Sequence, residues 1–433
     1  MIKKIRSYFT ESLPNGIIYL KKSAVAKNAT ALYIIQIAEY IIPLITIPYV
    51  VRVIGPYGFG ESSFCLGLIG YFSLLVDYGF SMSATRSISV HRNDKKAVNK
   101  IFSTTIVSKL LLSIFGLVIL LLISFISPKI HPYLPLMLAA YLGIIGNAIL
   151  PLWLFQGMED MSFLSIADIL AKTLMVVGIF IFIKDQNDII VYLLLISIAQ
   201  VLYGLIAFLK SLKKFEITFQ KVTLFDVKKS LREGWVLFIS TASVSFYTAG
   251  NPFILGFFVS PTIVGYYSGA EKITKATLGL ISPISQAVYP RFSRLVNDSK
   301  ELFFSWAKKI LFIMGGFGLI ISFLVFIFAP LAVKIVLGPN FEPAITLIRV
   351  LSPLPFIISL STVFGTQIML PLGKDKDFTK ILFIAGIINF VLVFLLAPRV
   401  GALASAIALL CAEVYVTVIM FIYVNYKIRK QVN

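Results

Sequence analysis

The sequence predicts an all-α polytopic membrane protein with twelve transmembrane helices in two lobes of six. The first observation is composition: of 433 residues, 58% are hydrophobic and only 14% are charged. A soluble protein has about half apolar and about a quarter charged residues. The second observation is a series of long apolar runs, and the third is the distribution of lysine and arginine between them. The composition excludes a soluble globular protein, a disordered chain and a disulfide-rich secreted module.

Twelve apolar runs are long enough to cross a bilayer, which takes about 20 residues in a helix. They lie at 30–53, 62–83, 102–127, 134–156, 161–183, 188–209, 233–258, 263–289, 305–329, 346–371, 379–397 and 401–425. The connections between them are short, so the chain has little room for a soluble domain.

The positive charges fall mainly in alternate connections. The net charge is +19, which in a soluble protein would suggest nucleic acid as a partner. In a membrane protein, such a surplus is typical of cytoplasmic loops. With the N-terminus placed in the cytoplasm, 27 Lys and Arg residues lie in connections on that side and 4 on the other. This predicts both termini in the cytoplasm, an even number of spans and no nucleic-acid partner.

A basic connection at 210–232 divides the runs into six and six, which predicts an N-lobe at 1–215 and a C-lobe at 216–433. A weak internal repeat supports two related halves. The segment PYVVRVIGPYGFGESS (48–63) resembles PFILGFFVSPTIVGYYSG (252–269). Each has a proline, a hydrophobic stretch, a second proline and then a glycine. Parallel repeats are a common plan of transporters, in which the substrate is bound between the halves.

The sequence lacks the common signatures of enzymes. It has no G-x-x-x-x-G-K-[ST] phosphate-binding loop, no G-x-S-x-G element and no spacing typical of a metal site. We therefore expect neither a cofactor nor a metal. A membrane-embedded glycan polymerase or ligase would be expected to carry a larger outer loop for its acceptor, and the outer loops here are short. A transporter is thus favoured over an enzyme.

Ionisable residues within the runs are the candidates for function, because a charge at the bilayer centre costs roughly 3 kcal/mol on insertion scales. Asp168 and Lys172 are spaced to pair on one helix face. Lys109 and Arg349 have no acidic neighbour in sequence, which favours a free cationic lining. Glu413 lies in the middle of the last run and is a candidate for ion coupling. The other acidic candidates for coupling are Glu39, Asp77, Asp168 and Glu271.

An ordered series of motifs resembles the O-antigen flippases of the Wzx type. These belong to the polysaccharide transporters of the MOP superfamily, together with MATE exporters and lipid II flippases. The motifs are IPYVVRVIGPYGFG (47–60), DYGFSMSATRSISVHRND (77–94), PLWLFQGMEDM (151–161), YTAGNPFILGFFVSPTIVGYYSGAEKI (247–273), AVYPRFSRL (287–295) and FGTQIMLPLGKDKDF (364–378). Each motif alone is weak, but the series covers nearly the whole chain.

The resemblance implies a MATE-like, V-shaped pair of lobes that opens alternately to each side of the bacterial inner membrane. It implies that an undecaprenyl-pyrophosphate-linked oligosaccharide is flipped from the cytoplasmic to the outer leaflet, with a glycan polymerase or ligase as a further partner. The positions matching the family pattern are Arg52, Asp77, Arg86, Trp153, Gln156, Gly157, Asn251, Glu271, Lys272 and Arg291. With the free or paired cations added, the candidate substrate contacts are Arg52, Arg86, Lys109, Lys172, Lys272, Arg291, Arg349, Gln156 and Asn251.

Other transporter classes remain as alternatives. A MATE-like, cation-coupled multidrug exporter would move organic cations, which a cavity with surplus lysine and arginine would repel. A major-facilitator sugar porter also fits twelve helices, but its loop signature is absent between the second and third runs. The identity of the glycan and the coupling ion stay open at this point.

Overall fold

The computed structural model describes residues 24–248 and 250–428, with side chains described from residue 42 onwards except at a few positions. Every regular element within these ranges is helical. The α-helices are α1 (Ala24–Asp77), α2 (Phe80–Val90), α3 (Lys95–Ile126), α4 (Leu134–Ile149), α5 (Leu152–Gly157), α6 (Ser162–Phe182), α7 (Ile189–Lys214), α8 (Leu224–Thr248), α9 (Asn251–Gly256), α10 (Pro261–Leu278), α11 (Ser282–Asp298), α12 (Lys300–Ala332), α13 (Ala344–Leu351), α14 (Leu354–Thr362), α15 (Asp375–Val400) and α16 (Ala402–Tyr423). Short π-helical segments at Val333–Leu337, Val363–Met369 and Val424–Ile428 extend α12, α14 and α16.

Nine stretches of the described residues are long and apolar enough to cross a membrane. The longest, Ile42–Val90, has 49 residues. A straight helix of that length would measure roughly 70 Å, more than twice the hydrocarbon thickness of a bilayer. It is broken at Gly55, whose φ of 68° lies in the left-handed region, and Pro56 starts the following helix. The all-helical polytopic class is therefore confirmed, whereas the number of twelve crossings stays a prediction.

Three other apolar runs are interrupted next to a proline, whereas Pro330 and Pro398 lie inside continuous helices. Proline lacks a backbone N–H and disfavours a helical conformation in the residue before it. The run at 134–156 is split between α4 and α5 at Pro151, and the run at 346–371 is split between α13 and α14 at Pro353. The break between α8 and α9 precedes Pro252. These spans are therefore built from two shorter helices each.

Four salt bridges gather the basic connections at one end of the bundle, which we call the basic end. Arg92 lies 2.8 Å from Glu159, and Lys100 lies 2.6 Å from Asp226. The remaining two pairs are Lys95 with Glu216 and Lys214 with Asp160. These pairs join the connections that follow the second, fourth and sixth predicted spans. The fold thus brings together three of the connections that the charge count assigned to one side.

The lightly charged connections meet at the opposite end. Tyr49 Oη donates to the carbonyl of Ile183 at 2.7 Å, at the end of α6. Lys129 Nζ donates to the carbonyl of Phe257 at 2.6 Å, which links the α3–α4 connection to the end of α9. We call this the outer end. Here the side chain of Lys129, in the first half, binds a backbone atom of the second.

The hydrophobic core consists of one cluster that both halves share and three clusters that each lie within one half. The largest hydrophobic cluster contains residues of both halves, such as Phe59 and Phe341, whose ring centroids lie 6.2 Å apart. A second cluster lies wholly within residues 281–424, and two others lie within residues 84–217. Each half thus has its own packing in addition to the shared contact. The lobe boundary near residue 215 remains a prediction.

Candidate functional site

An apolar cavity between α1 and α10 lies at the junction of the two halves. Its volume is about 400 Å³. The lining residues are Pro43, Leu44, Ile47, Lys272, Ile273, Lys275, Ala276, Thr277 and Val336. Lys272 Nζ lies 5.1 Å from the ring centre of Phe59, within the range of a cation–π contact. The cavity therefore combines hydrocarbon walls with two ammonium groups, which is a surface suited to an anionic amphiphile.

A buried polar chain adjoins this cavity on α9 and α10. Asn251 Nδ2 donates to Tyr267 Oη at 3.1 Å, and Tyr267 Oη donates to Glu271 Oε1 at 3.4 Å. Lys275 Nζ lies 3.1 Å from the same carboxylate oxygen. The fold thus brings together Asn251, Glu271 and Lys272, three residues predicted from the motif series. The Asn251 Oδ1 atom is buried and has no hydrogen-bond partner among the described residues.

A second polar group lies inside the first half, between α1, α3 and α4. Lys109 is 2% exposed and its Nζ lies 4.0 Å from Asp77 Oδ1. The same Nζ donates to Asn147 Oδ1 at 3.4 Å, and Asn147 Nδ2 donates to Ser73 Oγ at 2.8 Å. The expectation of a free Lys109 without an acidic neighbour is therefore wrong. Its acid comes from another helix and is invisible to a local search of the sequence.

The predicted pair on α6 is confirmed. Lys172 Nζ lies 2.7 Å from Asp168 Oδ2 at the i,i+4 spacing. Asp168 is almost completely buried, whereas Lys172 is partly exposed. The carboxylate neutralises the ammonium, which reduces the attraction of Lys172 for an anionic substrate.

Three predicted arginines lie away from the cavity between α1 and α10. Arg52 Nη2 donates to the carbonyl of Ile335 at 2.5 Å, so its guanidinium fastens the two halves at the outer end. Arg291 stacks on Trp306 at 3.6 Å from the ring centre. Arg349 lies on the exposed face of α13, 5.5 Å from the ring centre of Phe326.

The remaining predicted residues are dispersed. Arg86 is exposed on α2, and Gln156 Oε1 accepts a hydrogen bond from Thr85 Oγ1 at 3.3 Å. Glu413 is buried within α16, while the side chain of Glu39 lies outside the described residues. Two motif positions, Trp153 and Gly157, are buried at the contact of α2 with α5, so they serve packing.

Sequence reasoning missed a polar cavity of about 250 Å³ at the basic end, between α2, α3 and α8. The signal was present as polar residues four positions apart, Ser83 with Ser87 and Lys100 with Thr104. These four residues lie at the ends of the predicted spans, so they are not among the ionisable residues within the spans. Within the described residues, no group of three or more His, Cys, Asp or Glu side chains is placed to hold a metal ion.

Ion pairs near this cavity shift the pKa values of exposed carboxylates. Lys100 and the Thr223 backbone and hydroxyl lower the pKa of Asp226 to about 2 by hydrogen bonding to the charged form. Arg92 lowers the pKa of Glu159 in the same way, and Lys95 that of Glu216. These acids are therefore ionised at neutral pH, and they offset part of the positive charge at the basic end.

Comparison with protein families and sequences gives a consistent result. A family model described as "Polysaccharide biosynthesis protein" matches residues 25–296. A protein of Escherichia coli (strain K12) named "Putative O-antigen transporter" is 35% identical, over 93% of this chain and 97% of that one. A protein of Shigella dysenteriae with the same name is 31% identical, over 91% of this chain and 98% of that one.

Solved structures with the same fold are membrane transporters. The lipid II flippase MurJ in an inward closed conformation has a TM-score of 0.71 at 14% identity, covering 92% of this chain and 87% of that one. An inward-facing MATE multidrug resistance transporter of the MOP superfamily has a TM-score of 0.65 at 13% identity, covering 90% of this chain and 98% of that one. At these identities the likeness concerns the fold alone.

Proposed function

The chain belongs to the polysaccharide biosynthesis protein family, and from this premise we propose that it flips a lipid-linked oligosaccharide across a membrane. The substrate is an undecaprenyl-pyrophosphate-linked repeat unit, which moves from the cytoplasmic to the outer leaflet by alternating access. The cavity between α1 and α10 carries the proposal. It places Lys272 and Lys275 on an otherwise apolar wall between the two halves.

The chemistry of the substrate explains why such a cavity suits it. Transferring a bare charge into hydrocarbon costs on the order of 20 kcal/mol by Born arithmetic. A pyrophosphate therefore needs cationic partners along its route, whereas the polyprenyl chain can stay against apolar side chains. Lysine is a point charge that binds phosphate without a fixed geometry. Lys272 fits this role best, because Lys109, Lys172 and Lys275 each form a salt bridge with a carboxylate. Among the described residues Lys272 forms no salt bridge, although it follows Glu271 in the sequence.

The direction of transport follows from the proposed orientation. The basic end faces the cytoplasm of a bacterial inner membrane, in agreement with the distribution of lysine and arginine. The membrane potential, negative inside, favours outward movement of an anion by about 2.3 kcal/mol per charge per 100 mV. Ion coupling through Asp77 or Glu271 would add to this driving force. A glycan polymerase or ligase would use the product at the outer leaflet.

The test is complementation of an Escherichia coli strain that lacks its own O-antigen transporter. Wild type is compared with Lys272→Ala and Lys272→Arg at matched membrane expression, with surface O-antigen as the readout. We expect wild type to restore surface glycan, Lys272→Ala to reduce it at least tenfold, and Lys272→Arg to retain a substantial part. A tenfold change corresponds to about 1.4 kcal/mol, which is small for the loss of a charged hydrogen bond.

Lys308→Ala is the matched control, because Lys308 is exposed near the start of α12 and does not line the cavity. This variant should behave as wild type. A wild-type chain that restores no glycan with any tested repeat unit but confers resistance to cationic drugs would contradict the proposal and favour an exporter. Equal activity of Lys272→Ala and wild type would remove Lys272 from the mechanism.

A further inference from the structure

The polar cavity at the basic end has a lining quite unlike that of the cavity between α1 and α10. It is bounded by α2 and α3 of the first half and by α8 of the second. Its lining residues are Ser83, Ala84, Ser87, His91, Lys100, Ile101, Thr104, Thr105, Asp226, Lys229, Ser230 and Glu233. Ten of these twelve side chains are polar, so the cavity is a hydrophilic site at the level where the spans end.

Each of the three helices presents a polar stripe to this cavity. Ser83 and Ser87 are one helical turn apart on α2, as are Lys100 and Thr104 on α3. On α8 the stripe runs from Asp226 through Ser230 to Glu233. Residues at these spacings share one face of a helix. Three stripes facing one space indicate a built site, because single polar residues at span ends would point in unrelated directions.

The mixture of groups selects a class of ligand. Ser, Thr and His side chains both donate and accept hydrogen bonds, carboxylates accept and lysines donate. A phosphate would require donors and positive charge only, and two carboxylates, Asp226 and Glu233, oppose it. A carbohydrate hydroxyl donates and accepts at once, so it can form a hydrogen bond with any of the ten polar side chains in this lining.

Part of the lining is held in place without a ligand. Lys100 Nζ donates to Asp226 Oδ2 at 2.6 Å, which fixes α3 against α8. His91 Nδ1 lies 2.9 Å from the carbonyl of Ser87. Within the part of the chain that the structure describes, Lys229 and Glu233 form no salt bridge. Their charged groups are therefore available to neutral hydroxyls that enter the cavity.

We propose that this cavity binds sugar hydroxyls of the substrate's glycan while its pyrophosphate lies at Lys272. The proposal rests on the proposed function, since it assigns the glycan part of the same substrate to a separate place. Because the cavity joins helices of both halves, an occupied site would link them at the basic end. Lys100 and Asp226 set the position of the walls, and Glu233, Ser87 and Thr104 contact the sugar.

The experiment measures protection of single cysteines by two lipids. Cys411 is exposed and is replaced by serine, whereas Cys65 is fully buried and stays. Ser87→Cys reports on the polar cavity and Ala276→Cys on the apolar one. The purified full chain in nanodiscs is treated with a hydrophilic thiol reagent. The probes are undecaprenyl pyrophosphate carrying the Escherichia coli K12 O-antigen repeat unit and the same lipid without sugar.

The expected result is several-fold slower modification of Ser87→Cys with the glycan-bearing lipid only, and of Ala276→Cys with both lipids. Equal protection of Ser87→Cys by the two lipids would overturn the proposal, because the site would then hold pyrophosphate. Protection of Ala276→Cys alone would overturn it and leave the proposed function intact. Protection of neither cysteine by either lipid would contradict both the site and the proposed function.

A second variant tests the chemistry of the contact. Glu233→Gln in the Ser87→Cys background should raise the concentration of glycan-bearing lipid needed for half protection by about tenfold, since a hydrogen bond to a charged group is lost. The concentration needed to protect Ala276→Cys by the sugar-free lipid should not change. Glu342→Gln, an exposed acid at the outer end, is the matched control and should change neither. An unchanged half-protection in Glu233→Gln would remove Glu233 from the site.

Discussion

Gly60 and Gly265 lie against each other where α1 crosses α10, and each makes room for the other helix. A Cβ atom on Gly60 would collide with the carbonyl of Pro261, and one on Gly265 would collide with the carbonyl of Pro56. In both helices a proline precedes the glycine by four residues: Pro56 precedes Gly60, and Pro261 precedes Gly265. The contact therefore relates the two halves as near-equivalents and lets their backbones approach closely at the outer end.

Gly60→Ala should weaken this contact, because the obstacle is backbone and cannot move aside as a side chain would. Overpacking of this kind costs typically 1–3 kcal/mol. We expect a lower thermal unfolding temperature in detergent and reduced surface glycan in the complementation assay. Gly70→Ala is the control. Gly70 lies on the same helix as Gly60, and a Cβ added there meets nothing within 4 Å. If both variants match wild type, the close crossing is not the state that the protein occupies.

The internal repeat shows what the sequence could and could not reveal here. The pattern of two prolines and a glycine predicted related halves and located both segments. It did not reveal that Pro56 with Gly60 and Pro261 with Gly265 face each other, because a repeat says nothing about which copies touch. That contact is set by the packing of α1 on α10, which depends on residues of both halves.

Removing the acid beside Lys109 should destabilise the first half. Asp77→Asn leaves the buried ammonium without its neighbouring charge, which for a fully buried pair costs roughly 3–5 kcal/mol. The loss should be smaller here, because Asp77 is about a third exposed. The double variant Asp77→Asn/Lys109→Met should regain thermal stability relative to Asp77→Asn, since no uncompensated charge remains. If the double variant loses as much thermal stability as Asp77→Asn and Lys109→Met lose together, the pair is not coupled.

Local pairs were predictable and distant ones were not. The Asp168–Lys172 pair follows from its spacing on one helix, and the helical class follows from the length of the apolar runs. Lys109 and Asp77 lie 32 positions apart on different helices, so their contact depends on packing that no periodicity encodes. The same holds for Arg52, a predicted substrate contact whose guanidinium instead binds the carbonyl of Ile335.

Arg52→Ala and Arg52→Lys distinguish a structural role from substrate binding. A guanidinium that holds the outer end together contributes through its hydrogen bond to Ile335, so Arg52→Ala should lower the unfolding temperature as well as transport. Arg52→Lys should recover part of both. Lys308→Ala is the control, since Lys308 is exposed near the start of α12 and is not a candidate substrate contact. Loss of transport with an unchanged unfolding temperature in Arg52→Ala would instead favour direct contact with the substrate.

The Lys100–Asp226 pair should make the contact of α3 with α8 sensitive to acid. The pKa of Asp226 is lowered to about 2 in the folded chain, from an ordinary value near 3.9. A lowered pKa means that the stabilisation is complete above the ordinary value and is lost as the pH falls towards 2. Lys100→Gln should therefore unfold at a lower temperature than wild type at pH 7. The difference should shrink between about pH 4 and pH 2.

The control for this pH series is Lys213→Gln, which removes the same charge from an exposed position at the basic end. It should leave the unfolding temperature nearly unchanged at every pH, because exposed charges contribute little when unpaired. A general effect of net charge would instead lower the unfolding temperature equally in both variants. A Lys100→Gln difference that persists unchanged at pH 2 would also contradict the prediction, since about half of the Asp226 carboxyl groups are then protonated and no longer attract the ammonium.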